Sequence, residues 1–426
     1  MSWLGPWPIR LVRRWIAEFE ESVARRSVVP RPGHTMTRWF ARKDWEDRTP
    51  RVLIVSHEAS RTGAPRVAIL AARALRDHGH HVSVVSRLPG PLLDEFAAVC
   101  ETSVEPLHRV RRRLRETRST SVLGRAVDTM VAWWSIARAR PDVVYVNSTA
   151  AVGYVRPARW LRRRVVLHAH ESAAVARPFF VAAHVSADMD DVELVACSPS
   201  VQRDLAAISG RRVEAIRLIP SVPDSEAVRQ LAAEPLTLEV SDGDLVIGCC
   251  GAVEHRKGAD LWVQAARRVL AARQDRRLRF VWVGNIGEPV DVRPGEPIEF
   301  VGPRANPYPL IRRFDIGTLP SRDDPFPLVV LESMLLGVPV VAFGVGGVPD
   351  QVGDVGIVVS PTDVEAFADA IVSVIDDEAL RRRLGSSAPL RVAELFSVGA
   401  FAEAVQAAVA GDTLACSAEP RSPGAG

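Results

Sequence analysis

The sequence predicts an α/β protein made of two doubly wound parallel sheets in tandem, and three observations carry that expectation. A chain of 426 residues exceeds one compact core and suits about two to three domains at ~150 residues each. From Arg51 onward, short apolar runs alternate with turns and longer helical patterns, the rhythm of parallel strands joined by crossover helices. That rhythm breaks in a bridging stretch around 220–235 and restarts at Leu245.

In chain order, the first half offers strands at 51–57, 81–87, 143–148, 164–170 and 193–198. Between the first two, Val67, Leu70, Ala71, Ala74 and Leu75 recur at helical spacing within 63–78. The second half offers strands at 245–251, 279–285, 298–303, 316–321, 339–344 and 356–360, with an amphipathic helix over 259–272. The boundaries that follow are an N-terminal extension 1–50, a first Rossmann-like domain 51–218, a second 219–390, a C-terminal helix 391–411 and a disordered tail 412–426. The extension holds five of the ten tryptophans, and its Ile9, Val12, Ile16, Phe19 and Val23 share a helical face that Arg10, Arg13, Arg14, Arg25 and Arg26 avoid. Such a segment fits a membrane-surface helix and fits equally a helix packed on the protein's own surface.

Composition excludes several classes. Hydrophobic residues at 47% and charged residues at 25% describe an ordinary globular chain. The 54 basic and 51 acidic side chains nearly cancel to +3, which argues against a nucleic-acid coat. No apolar run approaches the ~20 residues of a spanning helix, and the N-terminus lacks a secretory core, so the expected location is the cytoplasm, with the inner membrane face as a candidate surface. Five cysteines without C-x-x-C spacing read as buried hydrophobes. Only Lys43 and Lys257 of the 54 basic residues are lysine, so a lysine here marks a site that wants a compact ammonium.

Ligands of open α/β sheets bind beyond the carboxyl ends of the strands. The first exit, His57-Glu-Ala-Ser-Arg-Thr-Gly63, opens a helix and can bring backbone N–H groups near a phosphate, but it is not G-x-G-x-x-G. The 164–170 strand ends in His168-Ala-His170-Glu171, where a histidine can bond a sugar hydroxyl or a leaving phosphate. The first strand of the second half leaves into Gly251-Ala-Val-Glu-His-Arg256-Lys257-Gly258, adjacent cations at a helix N-terminus that suit a diphosphate. The richest segment runs from Asp324 through Phe326, Leu328 and Val329 to Glu332, with Pro327 suited to the first helical position. Its carboxylates can accept from sugar hydroxyls while the N–H groups near Leu328 and Val329 meet phosphates. The macrodipole alone explains Asp324, but Glu332 lies among Leu331, Met334 and Leu335, where an unpaired carboxylate costs several kcal/mol.

These residues resemble the glycosyltransferases of family 4, which have the GT-B fold of two Rossmann-like domains facing across a cleft. Asp324 and Glu332 reproduce the family's E-x7-E spacing with aspartate first, and Gly337-Val-Pro-Val-Val-Ala-Phe343 and Gly346-Gly347-Val-Pro-Asp350 follow. The resemblance extends over 51–410 and leaves out 1–50. It implies a retaining transfer from a nucleoside-diphosphate sugar to a glycan or lipid-linked acceptor, in bacterial surface polysaccharide or glycolipid assembly, without an obligatory metal. It further implies that Glu332 binds the ribose, Asp324 the transferred sugar, Lys257 and Gly63 the diphosphate and Gly302 the base, with His170 facing the sugar. The family's arginine after the loop glycine is replaced by Ala252, leaving Arg256 as the nearby substitute. For the acceptor, the arginines at 109, 111–113, 115 and 118 and the run 162–164 can dock an anionic lipid or the membrane. They equally suit a solvated loop, and with no interleaved aromatics they do not suit nucleic acid. The alternatives are a non-catalytic GT-B binding subunit, which the Ala252 departure favours, and a sugar-nucleotide epimerase or phosphorylase.

Overall fold

The computed structural model describes residues 49–106, 108, 122–185, 189–236, 241 and 243–412. Readings placed on the amphipathic segment of the extension, on the arginines between 109 and 118 and on the tail after 412 lie outside those residues.

The apolar runs become two wholly parallel sheets. The first contains β1 (Arg51–Ser56), β2 (His81–Ser86), β3 (Glu101–Val104), β4 (Val143–Asn147), β5 (Arg164–Ala169), β6 (Val192–Ala196) and β7 (Arg217–Leu218), in the spatial order β3-β2-β1-β4-β5-β6-β7. The second contains β8 (Leu245–Cys250), β9 (Leu278–Val283), β10 (Ile298–Phe300), β11 (Ile316–Leu319), β12 (Val340–Phe343) and β13 (Ile357–Val359), in the order β10-β9-β8-β11-β12-β13. Central strands such as Val143-Val-Tyr-Val-Asn147 are buried at every position because helices cover both faces, which is why they read as continuous apolar runs rather than alternating ones.

Both orders reverse direction at one place, between β1 and β4 and between β8 and β11. The diverging crossover helices open a crevice there, at the strands' carboxyl ends. Helix α1 (Gly63–Asp77) follows β1 and buries Val67, Leu70, Ala71, Ala74 and Leu75, the face expected from spacing. Helix α2 (Ala259–Ala272) follows β8, and α3 (Leu328–Leu335) follows β11. Pro327 is the N-cap of α3, extended at ψ 116°, one position before the expected first turn.

The chain ends in two helices, α4 (Glu378–Leu395) and α5 (Val398–Ala410), where one was expected over 391–411. Among the described residues, 378–410 is apolar enough on average and long enough to cross a membrane, although charged residues interrupt it so that it holds no continuous apolar run of that length. It is interrupted at Phe396 and Ser397, whose hydroxyl caps α5 by accepting from Ala400 N at 3.2 Å. Helix α4 packs on α3, whereas α5 returns to α1 in the first half. There His80 meets Gln406 at 2.6 Å, and Arg164 donates to the carbonyls of Ala408 and Val409 at 2.8 and 3.0 Å. Arg164 therefore caps a helix C-terminus, where the dipole favours a cation, and is withdrawn from the proposed lipid-docking run.

Candidate donor site at the facing strand exits

The second half builds its side of the site on a rigid loop. Trp262 of α2 is fully buried and donates to Thr318 Oγ1 at 2.9 Å, and Thr318 donates onward to the carbonyl of Gly248 at 2.7 Å. That chain ties α2 to β11 and β8 just behind the exit loop. Gly258 sits at φ +73°, and a Cβ there would lie 2.0 Å from the Pro320 carbonyl oxygen, so only glycine allows the loop to lie against the β11 exit. The loop then places Lys257 Nζ 2.5 Å from Asp324 Oδ2, with Ser321 Oγ 3.4 Å from the same oxygen. Asp324 and Glu332 are both 5% exposed.

Arg256 does not join Lys257. Its guanidinium donates to the Asp323 carbonyl and to Glu254 Oε1, each at 2.9 Å, which fastens it to the outer loop. The expectation that it substitutes for the cation missing at Ala252 therefore lacks the required geometry. Phe326 is likewise packing: its ring lies 5.8 Å from that of Phe396 and against Gly347. Leu328 faces the other half, its Cδ1 3.8 Å from where a Cβ on Gly63 would lie. The start of α1 thus meets the start of α3, whose first N–H groups, including those of Leu328 and Val329, have no intrahelical acceptor. Gly302, at φ +71° beyond β10, accepts from Gly284 N at 3.1 Å and would leave an added Cβ in open space.

Glu332 is not left unpaired. Arg66, in the opening turn of α1, donates from Nη1 to Glu332 Oε1 at 2.6 Å and from Nη2 to the hydroxyl of Tyr308. Tyr308 donates to the same carboxylate oxygen at 2.9 Å. Burial works against the Arg66 charge, but Glu332 and Tyr308 outweigh it and hold the guanidinium protonated. A second bridge joins the halves, from Ser172 Oγ to Asp323 Oδ2 at 2.8 Å. The sequence reading missed Arg66 and Tyr308. The signal for Arg66 was a cation in a helix's first turn, where it opposes the dipole and needs another reason to be there.

The β5 exit is organised differently. His168 is buried, accepting from Tyr145 OH at Nδ1 (2.7 Å) and donating from Nε2 to Ile219 O (3.1 Å). Glu171 accepts from Thr149 N, Thr149 Oγ1, Ser148 Oγ and His170 N at 2.5–3.1 Å. His170 donates from Nε2 to Asn147 Oδ1 at 3.1 Å and accepts from Ser221 Oγ at 3.3 Å. Desolvation, with His57 close by, holds its imidazole down at about 3, so the ring is neutral at physiological pH. Asn147 also donates to the carbonyl of Ala64 at 2.8 Å, fixing the start of α1.

Comparison with known proteins bears on the family and the fold. Residues 61–226 match the family described as Glycosyltransferase Family 4, and residues 244–377 match the one described as Glycosyl transferases group 1. A D-inositol 3-phosphate glycosyltransferase of Corynebacterium aurimucosum is 28% identical over 223 residues, covering 48% of each chain. The lipopolysaccharide core biosynthesis mannosyltransferase LpsB of Rhizobium meliloti is 27% identical over 210 residues, 46% of this chain and 58% of that one. This chain thus spans about half the length of the curated relatives it matches. Among solved structures, Anabaena HepE in complex with UDP and glucose superposes with a TM-score of 0.65 at 19% identity, over 85% of this chain and 99% of that one, a likeness of fold. Both halves of the sequence and the paired parallel sheets place this chain in glycosyltransferase family 4, on the GT-B fold.

Proposed function

We propose that this protein transfers a glycosyl group, with retention at the anomeric carbon, from a nucleoside-diphosphate sugar to an acceptor hydroxyl. The observation that supports the reading best is the pairing of two buried carboxylates, Asp324 and Glu332, with cations, Lys257 and Arg66, where the two switch points face each other. A nucleotide sugar presents hydroxyls at both ends and anionic charge in the middle. Glu332 takes the ribose hydroxyls, Asp324 those of the transferred sugar, and the diphosphate lies by Lys257 and the first N–H groups of α3.

In the reaction the bond from the anomeric carbon to the diphosphate breaks, the acceptor oxygen bonds that carbon on the same face, and the hydroxyl proton passes to the departing diphosphate. The charge developing on the diphosphate is stabilised by Lys257 and the α3 N-terminus, so the reading calls for no obligatory metal. His170, neutral and hydrogen-bonded, acts as a polar wall beside the sugar rather than as an acid. Aspartate at 324 reaches about one methylene less far than glutamate, which draws the sugar closer to α3 or leaves room for a larger hydroxyl pattern.

The name of LpsB refers to lipopolysaccharide core biosynthesis, and with the arginine-rich composition this supports an acceptor in a surface glycan or glycolipid, handled at the cytoplasmic face of the membrane. Hydrolysis of UDP-, GDP- and ADP-sugars by the full chain tests the donor class. One of the three should release nucleoside diphosphate, more so with a lipid-linked glycan acceptor. Intact donors throughout, with no binding by calorimetry, would leave the binding-subunit reading in its place.

A further inference from the structure

We infer that Arg66 is a donor-binding residue that exchanges Glu332 for the donor's diphosphate, supplying from the facing domain the cation that Ala252 does not provide. The inference rests on the nucleotide-sugar reading above and deepens it. A diphosphate carries more negative charge than Lys257 alone balances, and the loop's other cation, Arg256, is committed to Glu254 and to the Asp323 carbonyl. Arg66 reaches the crevice from the other side, where it meets Glu332. Besides burial, the charges of Glu332, Arg66 and Lys257 all act on the Cys250 thiol at the end of β8, so each lies near that exit.

The exchange follows from hydrogen-bond chemistry. Ribose hydroxyls donate to a carboxylate, as Arg66 and Tyr308 now do. A donor seated with its ribose on Glu332 competes with the guanidinium for that carboxylate. A part-buried guanidinium without a partner is costly, and the nearest new anion is the diphosphate attached to that same ribose. Its planar fork suits two phosphate oxygens. Tyr308, whose ring lies 5.5 Å from Arg66 Cζ, supports the guanidinium during the move. Because Arg66 belongs to α1 and the ribose site to α3, donor binding is also a contact between domains.

The test is titration calorimetry of the full chain with UDP, GDP and ADP and with uridine, guanosine and adenosine. Arg66→Ala should weaken the preferred diphosphate by about ten- to hundredfold, the range of one charge-assisted hydrogen bond, and leave the matching nucleoside as tight or tighter. Ala252→Arg introduced into that variant should recover most of the loss. Arg66→Met keeps the packing of the stem if the alanine variant unfolds. Equal losses for nucleoside and diphosphate, or a double variant no tighter than the single one, overturn the inference. A wild-type chain blind to all three diphosphates overturns the donor reading beneath it, a distinguishable failure.

Discussion

The β5 exit and the β11 exit are the two chemically richest strand ends in the molecule, and they differ in where their hydrogen bonds go. At the β5 exit, His168 and Glu171 are met beside the first sheet, by Tyr145, Ser148, Thr149 and the Ile219 carbonyl just past β7. At the β11 exit and the helix that follows it, Asp324 is held by Lys257, and Glu332 is held across the crevice by Arg66. Glu171 accepts four hydrogen bonds from its own exit loops, which leaves it rigidly held and little able to trade partners for a ligand. A carboxylate whose partner comes from the opposite wall can exchange it, because the partner can move with its domain.

Changing one acid on each side puts that contrast under strain. Glu332→Gln keeps the shape and a hydrogen bond to Tyr308 but removes the charge. It should lower kcat/KM for transfer by about a hundred- to a thousandfold, the cost of a misplaced electrostatic contact, with circular dichroism unchanged. Steady-state rates near wild type would make the Arg66 pairing purely structural. Glu171→Ala strips four hydrogen bonds from the first domain, and should cost about 2–4 kcal/mol in urea unfolding while diphosphate affinity stays within about twofold. The reverse pattern, normal stability with lost donor binding, would move the site to the β5 exit.

The smallest effect concerns protons. The His170 imidazole is held at about 3 against an ordinary 6.5, and the fully buried His168 is lowered as well, in both cases mainly by desolvation. Between those values the unfolded chain takes up protons that the folded chain refuses. Stability is therefore complete above about pH 6.5 and declines as pH falls toward 3. His170→Asn should flatten that decline in unfolding midpoints followed from about pH 7 to pH 4. An unchanged slope would mean that the ring is protonated in the folded state. The rate profile should also show no inflection from this ring near neutral pH.

The sheets were legible in the sequence because parallel strands covered on both faces leave long apolar runs; eleven of the strands coincide with such runs to within a residue or a few. The two that escaped, β3 with Glu101-Thr-Ser-Val104 and the two-residue β7, lie at sheet edges, where neither burial nor length imposes a pattern. Asp324, Lys257 and Gly63 could be found because each stands in the loop just beyond a strand end, and Glu332 because it lies in the helix that follows Asp324. Arg66, Tyr308 and the commitment of Arg256 could not, because they depend on which side chains meet across two domains that local sequence does not relate. The burial argument for Glu332 also changes weight, since Arg66 and Tyr308 satisfy that carboxylate in the free protein. Its case now rests on its partners' position rather than on unpaired charge.

The central claim is that the crevice between the sheets holds a nucleotide sugar by its ribose and its diphosphate. The most direct measurement is a crystal structure with the nucleoside-diphosphate sugar that the protein hydrolyses, or an inert analogue of it. The account predicts ribose hydroxyls within about 2.6–3.2 Å of the Glu332 carboxylate, Arg66 released from it, and phosphate oxygens at Lys257. An occupied site elsewhere, with Arg66 and Glu332 still joined, would contradict it.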